Sequence, residues 1–183
     1  MSDGSTMLPN GWRLQPAGKH VKVGNMPLNL TQTPDAKYLV VTSNGLGRPA
    51  FSIIDIASWS VKGTIALDHA WYGLAWSPDG KRLYSAGAGQ NNVQEFNYAD
   101  GVITRGRSFA LPAVTGESFV GGLTVSPDGK TVFATRLFAQ SVASIDVAAG
   151  QTPRTWARPA GRDARPPAGK RAPSRRLAAA ALA

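Results

Sequence analysis

Three aspartates recur in the same local setting, and they are the first residues of this sequence that could do chemistry. Asp35, Asp79 and Asp128 each follow a proline within the pattern Ser/Thr-Pro-Asp-Gly/Ala-Lys. Repeated carboxylates could bind a divalent cation such as calcium. An oxygen cage, however, needs further carboxylates at loop spacing, and the neighbouring residues lack them. We therefore interpret the three aspartates as turn residues and predict no metal site.

The other reactive residue types are too few or wrongly spaced for the common active sites. His20 and His69 are the only histidines, so the chain cannot supply a three-histidine zinc site. It contains no cysteine and no Gly-x-Ser-x-Gly elbow, which excludes a thiol nucleophile and argues against a serine triad. The glycine-rich segment 45–50 mimics a dinucleotide fingerprint, but a strand rather than a helix is expected after it. We predict no catalytic residues and no cofactor.

The aspartate segments also indicate the fold, because each lies between two apolar runs. Proline presets φ, aspartate can bond its own backbone, and glycine accepts a positive φ, so each segment is expected to be a tight turn. The predicted turn residues are Pro34, Asp35, Pro78, Asp79, Gly80, Pro127, Asp128 and Gly129. The three prolines are 44 and 49 residues apart. A period of this length, built from short strands, is typical of β-propeller blades.

We therefore predict an all-β fold, a partial β-propeller of about three four-stranded antiparallel blades. A flexible N-terminus at 1–10 precedes the partial propeller at 11–150, whose blades are expected at about 25–67, 68–112 and 113–150. The third blade is expected to be incomplete, because residues 151–159 contain two prolines and no alternating pattern. Propellers have about 4–8 blades, so either another chain completes the ring or this sequence is a fragment.

The net charge of +9 is concentrated at the C-terminal end of the chain. Residues 1–150 hold 12 Lys and Arg against 10 Asp and Glu, whereas residues 151–183 hold 8 basic residues and one acidic residue. We interpret 151–183 as a low-complexity Arg/Pro/Ala tail that is disordered or read out of frame. Trp156 is its only aromatic residue, so it offers no platform for base stacking, which argues against nucleic acid as a partner.

Nothing in the sequence predicts a membrane segment or an export signal. A helix that spans a membrane needs about 18 consecutive apolar residues, and no stretch of this sequence approaches that length. The first residues lack the basic and apolar regions of a signal peptide. We predict no membrane span and, by default, a cytoplasmic location.

Several segments resemble YVTN-type, YncE-like or lactonase-like β-propellers. Residues 38–44, Tyr-Leu-Val-Val-Thr-Ser-Asn, resemble the signature of that family, and residues 51–56 and 141–147 resemble its third strand. Residues 8–12 and 24–28 look most like a bacterial subgroup in which the propeller precedes an alkaline-phosphatase-like domain. The resemblance covers roughly residues 7–150 and implies a seven-bladed ring and export. The chain departs from it, with fewer than three full blades, no phosphoesterase domain and no export signal.

A candidate ligand site follows from propeller geometry. Loops that enter the innermost strands of successive blades converge near the central channel, and here they carry polar and aromatic side chains. These residues are His69, Trp71, Tyr72, Glu117 and Phe119. They could line one pocket, or Trp71 and Phe119 could simply pack between blades.

The resulting functional hypothesis is a non-catalytic binding or scaffold module within a larger YncE-like protein. Its partner is expected to be an unidentified small molecule or protein, and open blade edges also permit self-association. The alternative is a hydrolase-associated propeller. That would be a lactonase-like enzyme, or the propeller part of a phosphoesterase fusion.

Overall fold

A computed structural model describes residues 5–15, 17–114 and 116–157, and all regular elements in these ranges are β-strands. The strands are β1 (Thr6–Met7), β2 (Arg13–Leu14), β3 (Pro27–Gln32), β4 (Tyr38–Ser43), β5 (Ala50–Asp55), β6 (Ser60–Ala66), β7 (Leu74–Trp76), β8 (Arg82–Ala86), β9 (Asn92–Ala99), β10 (Val102–Ala110), β11 (Val120–Val125), β12 (Thr131–Arg136), β13 (Ser141–Asp146) and β14 (Gln151–Ala157).

Twelve of these strands form three antiparallel sheets, which we call blades 1, 2 and 3. Blade 1 has the order β3-β4-β5-β6, blade 2 the order β7-β8-β9-β10, and blade 3 the order β11-β12-β13-β14. Strands that follow one another in the chain are therefore neighbours throughout each sheet. The predicted all-β fold with three four-stranded antiparallel blades is confirmed.

The inner strands are apolar because both of their faces are covered. In blade 2, Leu83 and Phe96 pack with Val40 and Phe51 of blade 1, whereas Tyr84 lies in a second core shared with blade 3. The rings of Phe51 and Phe96 meet edge to face, with centroids 5.0 Å apart. Successive residues of a strand point to opposite faces, so a continuous apolar run is what a blade between two neighbours requires.

Blade 3 differs from the prediction, because it has a fourth strand. The expectation of an incomplete third blade is wrong, because β14 (Gln151–Ala157) pairs with β13 and is the fourth strand of the sheet. Pro153 is tolerated since β14 is the outermost strand of its sheet and needs backbone partners on one side only. The Trp156 ring lies 6.3 Å from that of Phe133 and anchors the strand. The rest of the predicted tail, 158–183, lies outside the described residues.

The N-terminal segment also carries a small sheet of its own. Thr6 pairs with Leu14 and Met7 pairs with Arg13 in an antiparallel ribbon. This ribbon begins within the segment 1–10 that was expected to be flexible.

Each blade has two distinct ends. The loop end comprises the segments before the innermost strands and the loops between the second and third strands, which are residues 24–26, 44–49, 67–73, 87–91, 111–114, 116–119 and 137–140. The turn end comprises the hairpin turns at residues 33–37, 56–59, 77–81, 100–101, 126–130 and 147–150.

The three proline-aspartate segments lie at the turn end and share one hydrogen-bond pattern. In blade 2 the Ser77 hydroxyl donates to Oδ1 of Asp79 over 2.5 Å, and Oδ1 also accepts from the Lys81 amide over 3.0 Å. The Ser77 oxygen in turn accepts from the Arg82 amide over 2.9 Å. The aspartate therefore satisfies backbone groups inside its own turn.

The same contacts recur in the other two blades. Asp35 accepts from the Thr33 hydroxyl and the Lys37 amide, and Asp128 accepts from the Ser126 hydroxyl and the Lys130 amide. All three carboxyl groups are thus committed to turn geometry.

Candidate functional site

The loop ends of neighbouring blades are joined by direct hydrogen bonds. The Asn29 side chain at the start of β3 donates to the Tyr72 carbonyl, just before β7, over 2.7 Å. Ala88 and Val120 form an isolated bridge between the β8–β9 loop and the start of β11. The segments in which the site residues were predicted are therefore held at one end of the three sheets.

Two of the five predicted site residues are brought into contact. The rings of Trp71 and Phe119 meet edge to face at 5.0 Å, with an angle of 89° between their planes. Trp71 also packs against the core shared by blades 2 and 3. Phe138, in the β12–β13 loop, extends the group, since its ring lies 5.8 Å from that of Phe119 at 71°.

Phe138 is a residue that the sequence interpretation missed. It lies in a loop between the second and third strands, and such loops share the loop end with the loops that enter β7 and β11. The sequence carries a signal for it, because two consecutive large apolar residues are unusual in a short hairpin loop. The predicted site was confined to the loops that enter the innermost strands.

Phe119, Phe138 and Glu117 line a cleft at the loop end, which we call the aromatic cleft. Its other lining residues are small or polar, and they are Gly89, Asn91, Ala113, Val114, Gly116 and Ser118. The cleft has a volume of about 490 Å³. It is open to solvent, and the Glu117 side chain is exposed at its surface.

Asn91 holds the wall of the aromatic cleft in place. Its side-chain amide donates to the carbonyls of Leu111 and Pro112 over 2.9 and 3.2 Å, and its Oδ1 atom accepts from the Ser118 hydroxyl over 2.6 Å. The linker between blades 2 and 3 is thereby tied to the β8–β9 loop. These bonds fix the position of this wall of the cleft relative to the loop.

Arg136 lies behind this linker and is almost fully buried, with 2% of its surface exposed. Its guanidinium donates to the Ser141 hydroxyl over 2.9 Å and to the Pro112 carbonyl over 2.8 Å. Burial lowers the pKa of the Arg136 guanidinium. The side chain joins blade 3 to the linker and does not line the aromatic cleft.

His69 lies in a different cavity from Glu117 and Phe119. It lines a space of about 270 Å³ beside the outer strands of blade 2, together with Gln94 and Arg105. The His69 carbonyl accepts from the Gln94 amide nitrogen over 3.4 Å. Tyr72 is exposed, so the five predicted residues are distributed around the loop end and do not share one pocket.

A buried carboxylate in this second cavity was also missed. Glu95 is 5% exposed and accepts two hydrogen bonds of 3.0 Å from the Arg107 guanidinium, while Arg82 lies 3.7 Å away. Burial alone would raise the pKa of Glu95, but hydrogen bonds from Arg107 and the charges of Arg107 and Arg82 outweigh it and lower the pKa. A carboxylate held ionised between two arginines is suited to joining strands rather than to proton transfer.

The structure also bears on the glycine-rich segment, on metal binding and on a membrane span. The glycine-rich segment 45–50 lies in the β4–β5 loop and at the start of β5, so a strand follows it. Across residues 5–15, 17–114 and 116–157, no cluster of three or more histidine, aspartate or glutamate side chains is placed to hold a metal ion. No helix in the same ranges is long and apolar enough to cross a membrane.

Solved structures share this fold. Hydrazine synthase from Kuenenia stuttgartiensis matches with a TM-score of 0.59 and 24% identity, over 77% of this chain and 38% of that chain. The WD40 repeats of RRP9 match with a TM-score of 0.58 and 17% identity, over 72% of this chain and 38% of that chain. A chain of a nidogen/laminin complex matches with a TM-score of 0.53 and 18% identity, over 73% of this chain and 48% of that chain.

The chain therefore has the fold of a partial β-propeller, and it spans less than half the length of each of these solved chains. No protein-family model matches the sequence, and no curated protein matches it.

Proposed function

We propose that this chain is a non-catalytic β-propeller module that binds a partner protein at its loop end. The observation that carries the proposal is the set of large apolar side chains exposed there. These are Met26, Leu46, Tyr72, Leu137 and Phe138. Leu46 is 93% exposed and Phe138 is 63% exposed. Several large apolar side chains exposed at one end of a folded protein favour an interaction site there.

The scaffold under these side chains suits a binding role. The loops that carry Leu46, Leu137 and Phe138 are short, and each connects two paired strands, so little conformational entropy is lost there when a partner docks. Trp71, Phe119 and Phe138 add aromatic surface, which is enriched where proteins bind one another. One of the solved structures of this fold is itself a complex of two proteins, nidogen and laminin.

The finer family assignment forms part of the same proposal. The Ser/Thr-Pro-Asp turns and the Tyr38–Ser43 strand support a YncE-like propeller. Because the chain spans under half of the solved chains of this fold, we propose that it acts as part of a larger protein or assembly. The lactonase-like alternative would be supported by lactone hydrolysis that a metal chelator abolishes.

A selection experiment tests the binding role. A library of linear peptides displayed on phage is selected on the immobilised chain, and the enriched peptides are then measured against Phe138→Asp. We expect enrichment that Phe138→Asp abolishes, because a carboxylate on an apolar docking surface must be desolvated. Val102→Asp is the matched control, since Val102 is 56% exposed but lies at the opposite end, beside the β9–β10 turn.

Circular dichroism establishes that both variants keep their strand content. A selection without enrichment, or peptides that bind both variants alike, would contradict the proposal.

A further inference from the structure

We propose that the aromatic cleft binds an alkylammonium group, a positive charge carried on an apolar stem. This inference rests on the proposed binding role of the loop end and names the chemistry of the partner at one point of it. The group could belong to a lysine side chain of a partner protein or to a free quaternary ammonium compound, because both present the same charge and methylene surface.

Glu117 supplies a negative charge to the aromatic cleft. Its carboxylate is exposed at the cleft, and no hydrogen bond or ion pair engages it among the residues that the structure describes. The neighbouring Ser118 hydroxyl is committed to Asn91, so it does not turn toward the carboxylate. Glu117 is therefore a carboxylate available to a ligand. Of the residues that the structure describes, no other charged side chain lines the cleft.

The aromatic rings of the cleft supply the surface for an ammonium group. Phe119 and Phe138 both line the cleft, and their planes are inclined by 71° with centroids 5.8 Å apart. The face of each ring attracts a cation, so two rings that line one cleft can both contribute to binding an ammonium group. The Trp71 ring, at 89° to Phe119, holds Phe119 from behind.

Arg136 is a positive charge near the cleft within the described ranges, and it does not compete for this role. Arg136 is 2% exposed, and its hydrogen bonds go to Ser141 and the Pro112 carbonyl. An anionic ligand in the cleft would meet Glu117 before it could reach this guanidinium. The accessible charge of the cleft is therefore negative, and the apolar stem of an alkylammonium matches its aromatic walls.

The experiment titrates the isotope-labelled chain with three probes and follows backbone amide signals by NMR. The probes are tetramethylammonium chloride, the peptide acetyl-Gly-Lys-Gly-amide, and the same peptide with its lysine acetylated, which removes the charge. We expect saturable shifts at Ser118, Phe119 and Phe138 with the two cations and weaker binding of the neutral peptide. Tighter binding of the lysine peptide identifies a protein partner as the source, and tighter binding of tetramethylammonium identifies a free ammonium compound.

Two substitutions assign the binding to the named groups. Glu117→Gln keeps the shape and removes the charge, and it should weaken cation binding about twofold to fivefold. Phe138→Leu removes one π face at an exposed position and should weaken binding by a similar factor, about twofold to fivefold. Asp100→Asn is the control, because it removes an exposed carboxylate at the turn end and should leave the affinity unchanged.

The inference is overturned if the neutral peptide binds as well as the charged one, or if Glu117→Gln leaves cation affinity unchanged. Peptides from the phage selection that depend on Phe138 but ignore Glu117→Gln would overturn this inference while leaving the proposed binding role intact.

Discussion

The Tyr98 phenol donates a hydrogen bond of 2.9 Å to Oδ2 of Asp35, a residue 63 positions earlier in the chain. The bond joins strand β9 of blade 2 to the proline-aspartate turn of blade 1. Oδ1 of the same carboxylate is occupied within its own turn by Thr33 and Lys37. Asp35 therefore closes its own turn and links its blade to the next.

Removing this phenol tests the link between the two blades. Tyr98→Phe should lower the free energy of unfolding by about 0.5–1.5 kcal/mol, the usual net value of one hydrogen bond. Urea denaturation measures the change. Tyr72→Phe serves as the control, because the Tyr72 side chain is exposed and its hydroxyl has no hydrogen-bond partner among the described residues. Equal losses in the two variants would show that the phenol of Tyr98 does not join the blades.

Because the turn aspartates have lowered pKa values, we predict that the free energy of unfolding falls in acid. Hydrogen bonds from Ser77 and from the Lys81 amide lower the pKa of Asp79, and hydrogen bonds from Ser126 and the Lys130 amide lower the pKa of Asp128. A carboxyl group whose pKa is lower in the folded state stabilises the fold fully above the unfolded value of 3.8. This contribution is lost as the pH falls through the folded pKa.

Thermal unfolding between about pH 2 and about pH 6 measures this dependence. Asp79→Asn should be less stable than the natural chain near neutral pH and should flatten the acid slope. An unchanged slope in Asp79→Asn and Asp128→Asn would contradict the assignment of these carboxylates to the turns.

Alanine substitutions at two equivalent turn glycines should distinguish two contributions to a loss of stability. One is backbone strain, and the other is the steric contact between neighbouring turns. Gly80 and Gly129 both have φ of +70°, so alanine costs the same backbone strain at either position. A Cβ on Gly80 would lie 2.8 Å from the Pro34 ring, whereas a Cβ on Gly129 would lie 3.3 Å from the Pro78 ring. Ala36, at the equivalent position of blade 1, has φ of +57° and shows that alanine can adopt the conformation.

Gly129→Ala should therefore destabilise the chain by about 0.5–1.5 kcal/mol. Gly80→Ala should cost about 1–2 kcal/mol more, because the blades must shift to relieve the contact. Chemical denaturation of the two variants gives the difference directly. Equal costs would mean that adjacent turns do not pack against one another.

Glu95 should be the carboxylate whose loss destabilises blade 2 most. Glu95→Gln keeps the shape but leaves Arg107 without its bidentate acceptor, and we expect a loss of about 1–3 kcal/mol. The value is below that of a fully buried pair, since the Arg107 side chain is 47% exposed and reaches water. Asp68→Asn, which alters an exposed pair with Arg48 and Arg105, should cost less. Denaturation curves for the two variants show which substitution lowers the free energy of unfolding more.

Ending the chain at two different residues tests whether β14 belongs to the fold. A chain that ends at Gly150 lacks β14, whereas one that ends at Ala157 keeps its pairing with β13 and the Phe133–Trp156 contact. The shorter chain should be less stable by about 1–3 kcal/mol, because it loses several cross-strand pairs. Equal stability of the two chains would mean that residues 151–157 add nothing to blade 3.

The turns and the order of the strands follow from the sequence alone, because their causes are local. A proline, an aspartate and a glycine in succession close a turn through bonds that each residue makes within five positions of itself, as Ser77, Asp79 and Arg82 do. The apolar runs on either side specify strands that are buried on both faces. The repeat period then indicates blades without any knowledge of how the blades dock.

The last strand of blade 3 and the contacts between blades were decided only by the tertiary structure. Pro153 argues against a strand in sequence, yet it is accommodated at the outer edge of a sheet whose inner strands are already paired. Tyr98 meets Asp35, and Trp71 meets Phe119, because neighbouring blades are set at a particular angle and height. That geometry depends on how two apolar faces interlock, so no local pattern of residues specifies it.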